Sequence, residues 1–576
     1  MILNISKAIT DNGRQLMEKK YCLPGETIEE RLYAACTFNS LDKHHAERLA
    51  TYISKGWFMF STPLLANSGT KRGQGISCFL NKMDDSLESI GELYKENVHL
   101  TTGGGGIGTH YSSIRSLGES TSKGSETTGV IPFIKVCDSQ IIAFNQGLTR
   151  RGAGAAFLDV SHPEIMEFLS IRDVVGGDIN RKCPSTHIGV CISDKFMDAV
   201  KNKEQWDLID PNSKKVTATL PAIHIWVKIL KMRLSTGEPY LYFTDNVIRN
   251  TCYDLNNPDD VIEFNGTNLC TEILLHTSDY ETAVCCLSSI NAAKFFEYKD
   301  DSNFYKDMVA MLNVALDNFI KNAPEGYKRA IKSVRMSRDL GLGIMGFHTL
   351  CQMNPDISSD VLNELVFSHH KTLAVQASEE LTSIWDSPPR AKHLNRVNTN
   401  VTAIAPNASS SIMLGVSPGI EPIRSNIFAI KVGGQLLEMK NPALVSYLDN
   451  VQKNTKEVWD SIRRNNGSVK GIENVPDNVF KTFEEHDQAK LINQASYRQQ
   501  YIDQAQSLNL CVSPDIAAKE LSDLHLEAYN KGLPTLYYLR TAATNRAEDV
   551  TVQAKRAEVI ACPLNPKTEE ECLACQ

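Results

Sequence analysis

The stretch Asn268-Leu269-Cys270-Thr271-Glu272 decides how the rest of the chain is read. Taken as extended backbone, it points alternate side chains the same way. The amide of Asn268, the thiol of Cys270 and the carboxylate of Glu272 then share one face, with Leu269 and Thr271 on the other. A helix would scatter the three, because positions i and i+2 do not face each other. One face would hold a hydrogen-bonding amide, a nucleophilic or one-electron sulfur, and a base. The competing reading is a buried strand whose cysteine is only a small hydrophobe. The surrounding sequence has to decide between them.

Composition narrows the field. The chain has 576 residues, 42% hydrophobic and 22% charged, which is an ordinary globular balance. A chain of that length holds either several domains or a large barrel. A net charge of −8 argues against a nucleic-acid protein held by phosphate contacts. No apolar run reaches membrane-spanning length, and Met1-Ile2-Leu3-Asn4 leads into mixed polar residues instead of a signal core. The expectation is a cytoplasmic chain without nucleic-acid or membrane partners. Fifteen cysteines, an odd number with no secretion signal, argue for thiols over a disulfide framework.

Upstream of the central stretch, residues 1–57 read as a short helical region. Thr27-Ile28-Glu29-Glu30 has the form of a capping box, and a second helix is expected from Lys43 to Ser54 with Leu49, Tyr52 and Ile53 inward. Ser61-Thr62-Pro63 closes an apolar stretch, and Gly75 to Leu80 reads as a short strand. Asp84-Asp85-Ser86-Leu87-Glu88 opens an amphipathic helix with Leu87, Ile90, Leu93 and Tyr94 as its stripe. The run Gly103 to Gly108 lacks the Gly-Lys-Ser/Thr of a P-loop, and it follows a helix where a dinucleotide fingerprint follows a strand. It either packs closely against backbone or approaches a ligand. Polar loops run from Glu119 to Thr128 and from Gly176 to His187.

Strands are expected near Ala155 to Val160, Ile188 to Ile192, Tyr240 to Thr244 and Val284 to Ser288, with helices between, the pattern of an α/β fold with parallel strands. Residues 305–385 read as helical. Val401 to Ile404 reads as a strand running into Ala405-Pro406-Asn407-Ala408-Ser409-Ser410-Ser411, a turn into a helix start that suits a phosphate. The last strand expected is Thr535 to Leu539. Beyond it, 541–576 loses periodicity and reads as a flexible tail ending Cys572-Leu573-Ala574-Cys575-Gln576. Zinc would need a second ligand pair, so a dithiol that exchanges with other disulfides is the better use.

At this point the chain resembles the large, catalytic subunit of class I ribonucleotide reductases. The features that carry the resemblance are Ser61-Thr62-Pro63, Ser77-Cys78, the glycine run, Asn268 to Glu272 and Cys285-Cys286-Leu287-Ser288. They continue with Ala405-Pro406, Gly419-Ile420-Glu421-Pro422, Leu536-Tyr537-Tyr538 and the terminal cysteine pair. Each is weak alone, but their joint order from 61 to 575 is specific.

The resemblance implies a ten-stranded α/β barrel of two five-stranded parallel halves over 58–540, with a central finger loop carrying Cys270 at its tip. It also implies roles. Cys270 becomes a thiyl radical that takes the 3′-hydrogen of a ribonucleoside diphosphate, Glu272 is the base for the 3′-hydroxyl, and Asn268 orients Glu272 and the ribose hydroxyls. Cys78 and Cys285 supply the reducing electrons. Cys572 and Cys575 reset that pair and are themselves reset by thioredoxin or glutaredoxin. Tyr537 and Tyr538 relay the radical from the metal cofactor of a separate ferritin-like small subunit, so this chain needs no metal or cofactor of its own. Substrate binding falls to Thr62, Ser77, Gly106, Pro406, Asn407, Ala408, Ser409 and Ser410. A nucleoside triphosphate effector sits near Asp85 and Arg115 at the contact of a homodimer, with the Gly176 to His187 loop carrying its signal.

Two departures stand out. Some relatives carry a glutamate where this chain has Ala408. Many also have an N-terminal ATP-binding regulatory domain, whereas this chain reads as a short form without that switch.

Two local ambiguities remain. Cys285 and Cys286 face opposite ways on a strand, with the family's Cys-x-Leu-Ser pattern favouring Cys285. Tyr537 and Tyr538 would likewise be separated unless the backbone bends. Three other readings are weighed: an adenosylcobalamin-dependent reductase, a non-catalytic paralog, and a plain thiol-disulfide oxidoreductase. The tyrosine pair opposes the first, the intact Cys78, Cys270, Glu272 and Cys285 the second, and the unexplained remaining features the third.

Overall fold

The computed structural model describes residues 4–144, 152–432 and 435–541. Three helices open the chain: α1 (Asp11–Lys20), α2 (Ile28–Phe38) and α3 (Lys43–Ser54). The expected capping box is present at α2, where the Glu30 N–H donates to the Thr27 hydroxyl and the Thr27 N–H to the Glu30 carboxylate at 2.8 Å. Leu49, Tyr52 and Ile53 lie buried on α3. Then come β1 (Phe58–Phe60), α4 (Thr62–Asn67), β2 (Cys78–Lys82), α5 (Leu87–Thr102) and β3 (Gly106–His110). After β4 (Ala153–Asp159) and β5 (His187–Ile192), a hairpin of β6 (Gln205–Ile209) and β7 (Val216–Pro221) precedes β8 (Tyr240–Phe243). The second half holds β9 (Ala283–Asn291), β10 (Leu340–Met345), a hairpin of β11 (Ile427–Val432) and β12 (Gln435–Lys440), and the short β13 (Leu510–Cys511), β14 (Thr535–Leu536) and β15 (Leu539–Arg540).

The pairings close a ring. β2, β3, β4, β5 and β8 lie side by side, all parallel. On the other half β9 pairs parallel with β10, Leu342 of β10 bridges parallel to Thr402, Ile404 bridges parallel to Gln506, and β13 pairs parallel with β15. Both seams are antiparallel, β2 against β9 and β14 against β8. Backbone bonds continue around the circle where strands are short: the Leu342 N–H donates to Val401 at 2.8 Å, Ile404 to Ala505 at 3.0 Å and Tyr537 to Leu508 at 2.9 Å. This is the expected barrel of two parallel halves.

Several local expectations change. Residues 401–404 form no regular strand and are held by single bridges. Residues 305–385 contain β10 among the helices, and all six of its residues are buried. A strand covered on both faces shows no alternation, so Leu340-Gly341-Leu342-Gly343-Ile344-Met345 gives no period-two signal. Leu87 sits in the first turn of α5 and is exposed, while Ile90 and Leu93 carry the buried stripe. The strand expected over 535–539 is interrupted at Tyr537 and Tyr538.

The largest change concerns 268–272, which is a turn and not extended backbone. Phe264 and His276 bridge antiparallel, so the two arms of the loop run side by side and must reverse at the tip. The Thr271 N–H donates to the Asn268 carbonyl at 3.3 Å, and Thr271 adopts φ +66°. A β-branched residue in the left-handed region is strained, by about 1–3 kcal/mol. The barrel holds it there: the Thr535 hydroxyl donates to the Thr271 carbonyl at 3.0 Å, and the Ala505 N–H to that of Glu272 at 2.9 Å. Gly108 makes room for the loop, since a Cβ there would overlap the Thr267 carbonyl oxygen. The glycine run is therefore close packing at this position.

Gly108→Ala should lower the stability of the barrel by about 1–3 kcal/mol, the usual cost of overpacking a filled interior. A urea denaturation midpoint measures this, and an unchanged midpoint would show that the loop does not press on β3.

Candidate active site

A cavity of about 310 Å³ opens at the tip of the loop. Cys270 and Glu272 line it from the loop, Cys78 from β2 and Cys285 from β9. Thr62 and Ser77 line another wall, and Pro406, Asn407, Ala408, Ser409 and Ser410 a third. These expected residues, spread over nearly 350 positions of sequence, thus meet in one space. Gly106 and Asn268 are absent from the lining; Gly106 stands behind the wall, paired in register with Cys78.

The turn at 268–272 still delivers Cys270 and Glu272 to the same cavity. Asn268 holds the turn: its Oδ1 accepts from the Ile273 N–H and the Thr267 hydroxyl, both at 3.2 Å. Its Nδ2 is buried with no partner among the described residues, a state worth about 1–3 kcal/mol of destabilisation unless something else accepts from it. Ser507, which sequence reading did not single out, reaches the Cys270 carbonyl at 2.6 Å and the Glu272 carboxylate at 3.3 Å.

Cys78 and Cys285 are direct cross-strand partners on the β2–β9 seam. Such antiparallel partners stand with Cα atoms about 4.5–5.5 Å apart, inside the span a disulfide needs. Both are buried thiols. Cys285 shares its apolar cluster with Cys78, while Cys286 packs into the main core on the other face of β9. That settles which of the adjacent pair faces the cavity. Burial pushes the Cys285 thiol well above its ordinary range; a hydrogen bond from Gln504 opposes the shift.

On the other side of Cys270, β14 ends at Leu536 and β15 begins at Leu539. The break between them lets the rings of Tyr537 and Tyr538 come within 4.2 Å, centroid to centroid, at an interplanar angle of 48°. Tyr537 is the inner ring, buried and hydrogen-bonded with both Cys270 and Tyr538; burial pushes its phenol well above the usual range. Tyr538 is half-buried and lies outside it. A third ring, Tyr240 on β8, was not anticipated as part of this group. Its hydroxyl donates to that of Tyr538 at 2.9 Å, and its ring lies 4.9 Å from Tyr537 and 5.1 Å from Tyr538. In the sequence it is one aromatic of the strand Tyr240-Leu241-Tyr242-Phe243, with nothing local to distinguish it.

Known proteins share the sequence and the fold of this chain. The family model described as "Ribonucleotide reductase, barrel domain" matches residues 76–388 and 391–539, and "Ribonucleotide reductase, all-alpha domain" matches 7–73. The chain belongs to the ribonucleotide reductase large-subunit family. A protein of Frog virus 3 (isolate Goorha) is 37% identical over 543 residues, covering 92% of each chain. A ribonucleoside-diphosphate reductase large subunit of Invertebrate iridescent virus 3 is 32% identical, covering 98% of each. Among solved structures, the Actinobacillus ureae class Id ribonucleotide reductase alpha subunit superposes with a TM-score of 0.82 at 31% identity, over 94% of this chain and 98% of that one.

Within this family frame the helical N-terminus gains a role in the site. α1 packs on the helix Ala408–Leu414, with the Thr10 N–H donating to Met413 at 2.9 Å and Gly13 crossing close to the Met413 backbone. Lys20, at the end of α1, and Tyr21 line the cavity, and the Tyr21 hydroxyl is 3.0 Å from that of Thr62. Neither was expected, since α1 carries no nucleotide motif. Asn407 adopts φ +57°, and its Nδ2 donates to the Ser289 hydroxyl at 2.7 Å. Asp85 and Arg115 form an ion pair at 2.8 Å and are not among the residues that line the cavity. Cys572 and Cys575 lie outside the described residues. Among the described residues no helix is long and apolar enough to cross a membrane.

Behind the tyrosines, Glu238 binds Arg172 and the His187 ring, the latter at 2.6 Å, and accepts from the Ile188 N–H at 3.1 Å. Burial alone would raise its carboxyl, but His187 and Arg172 outweigh that and hold it at about 2. A depressed carboxyl stabilises the fold above its unfolded pKa, and that contribution fades as pH falls toward the folded value. The stability gap between wild type and Glu238→Gln should therefore narrow by about 2 kcal/mol between pH 6 and pH 3. Urea midpoints at both pH values measure it, and a gap independent of pH would refute the assignment.

Proposed function

We propose that this chain reduces ribonucleoside diphosphates to 2′-deoxyribonucleoside diphosphates, using a thiyl radical on Cys270. The observation that carries the reading is the convergence of Cys270, Glu272, Cys78 and Cys285 on one cavity in a chain of this family. The substrate class follows the names of the curated relatives.

The chemistry calls for these groups. A ribose C–H bond resists ordinary acid-base attack, so a radical must open it. Cys270 takes the 3′-hydrogen, and Glu272, within reach of the same space, takes the 3′-hydroxyl proton. Asn268 lies behind the lining, and its Oδ1 holds the turn that presents Glu272. Departure of the 2′-hydroxyl as water needs a proton and two electrons. Cys78 and Cys285 supply both and end as a disulfide, which their direct pairing across the seam permits. Cys572 and Cys575 would then reduce that disulfide in a space too narrow for a protein reductant, and thioredoxin or glutaredoxin would restore them.

The diphosphate would lie against Ser409, Ser410 and Thr62, with Lys20 supplying a positive charge at the rim. Where some relatives place a glutamate, Ala408 offers no proton acceptor, and Asn407 and Ser409 are its polar neighbours in sequence. Asp85 and Arg115 would meet a nucleoside triphosphate effector where two copies of the chain pair.

The oxidant would come from a separate small subunit. Tyr538 is the accessible end of the stacked pair, and Tyr537 touches Cys270. With the Tyr537 phenol held protonated by burial, an electron that passes through it must carry a proton with it. This stack favours the two-subunit reading over a cobalamin-dependent one, which needs no such pair.

Turnover with a diferric or dimanganese small subunit, set against turnover with adenosylcobalamin alone, separates these two. Activity with the cobalamin alone would defeat the proposal. Tyr538→Phe should abolish turnover, by at least a thousandfold, while ribonucleoside diphosphate still binds; retained turnover would remove the relay. Cys572→Ser should complete one round on preloaded thiols and then stop, and sustained thioredoxin-driven activity would remove the tail from the scheme.

A further inference from the structure

Gln504 is a polar side chain with no exposed surface, and it lies against Cys285. Its amide makes three bonds to three different parts of the barrel. Oε1 accepts from the Leu274 N–H of the central loop at 3.1 Å. Nε2 donates to the Leu340 carbonyl of β10 at 3.0 Å and to Cys285 Sγ at 3.5 Å. These partners fix which end of the amide is which. Leu274 offers only a donor, so the oxygen must face it, and Leu340 offers only an acceptor, so the nitrogen must face that. The third bond is then forced: an N–H, and not a lone pair, is aimed at the sulfur.

The backbone of Gln504 is held as firmly as its side chain. Its N–H donates to Thr402 at 3.3 Å, and its carbonyl accepts from Gln499 Nε2 at 2.7 Å. The amide cannot swing away without leaving buried groups unpaired, at a cost of about 1–3 kcal/mol each. A donor fixed on a buried sulfur favours the charged form of that sulfur over the neutral one. The Cys285 thiol lies in an apolar cluster, where burial alone opposes the thiolate. Asp339 also acts on it unfavourably through its charge.

We propose that Gln504 is a catalytic residue of the reductase reaction, stabilising negative charge on Cys285 Sγ as the Cys78–Cys285 disulfide forms. This rests on the function proposed above. In that step both S–H bonds break and one S–S bond forms. The two electrons and two protons pass to the ribonucleotide, whose 2′ C–O bond is replaced by C–H while the oxygen leaves as water. Negative charge develops on the sulfur pair as protons leave ahead of electrons. Gln504 places a donor there in advance, with no reorganisation needed during reaction.

The test uses the full chain without its small subunit and with both thiols reduced, so it needs no turnover. Iodoacetamide is the probe, and the rate of alkylation of Cys285 at pH 8.5 is read by peptide mass spectrometry in wild type, Gln504→Met and Gln504→Glu. Because alkylation follows the thiolate, Gln504→Met should slow Cys285 about tenfold while Cys78 changes less than twofold. Gln504→Glu keeps the shape and replaces the donor by a like charge, and should slow Cys285 at least as much. An unchanged Cys285 rate in a folded variant of either kind overturns the proposal. Equal slowing of Cys78 also overturns it, since that marks a general disturbance of the cavity. Should Gln504→Met fail to fold, Gln504→Glu decides alone. Slowing confined to Cys285 shows the Gln504 donor acting on that sulfur whether or not the chain reduces a ribonucleotide, so failure of this reading and failure of the proposed function are told apart.

Discussion

Non-helical backbone at the centre of a barrel must find a partner for each of its buried polar groups, because an unpaired one costs as much as a lost hydrogen bond. The rest of this structure follows from how the loop around Cys270 meets that demand. The second half of the barrel contributes the bonds and the first half the room. The Thr535 hydroxyl, the Ala505 N–H, Ser507 and the Gln504 amide each hold a group of the loop, and Gly108 gives up its side chain so that the loop can pass. The strained φ of Thr271 is tolerated because these bonds over-determine the turn. A cysteine on an unsupported loop would wander by more than a hydrogen-atom transfer allows. Here its position is set by strands that close only when the whole ring is formed.

That closure also explains why the functional groups are so far apart in sequence. Cys78 and Cys285 become partners because the two halves meet antiparallel at β2 and β9. The other seam, β14 on β8, brings Tyr240 against Tyr537 and Tyr538. One seam thus carries Cys78 and Cys285, the other the tyrosine rings, and Cys270 stands between them. The interruption of the strand at Tyr537 is part of the same design: regular β backbone would turn the two rings to opposite faces.

Much of this was legible in the sequence, and the reasons differ from residue to residue. Motif order picks out Cys78, Cys270, Glu272, Cys285 and the turn at 406–410, and the fold brings them to one cavity. Periodicity did not supply the right geometry for 268–272. Extended alternation put Cys270 and Glu272 on one face, and the actual turn puts them in one cavity by a different route. β10 was missed because burial on both faces erases the pattern by which strands are recognised. Gln504, Ser507 and Tyr240 were invisible for another reason: their significance lies in side-chain bonds to partners more than 160 residues away. Lys20 and Tyr21 went unnoticed because α1 joins the site only through its packing on the helix Ala408–Leu414.

The account stands or falls on Cys270 taking the 3′-hydrogen of the substrate. The most direct measurement is turnover, with the small subunit present, of a ribonucleoside diphosphate deuterated at the 3′-carbon in competition with its protium form. The account predicts a primary discrimination against deuterium in wild type and no deoxyribonucleotide from Cys270→Ser. Product formed by Cys270→Ser, or wild-type turnover blind to the 3′-isotope, would contradict it.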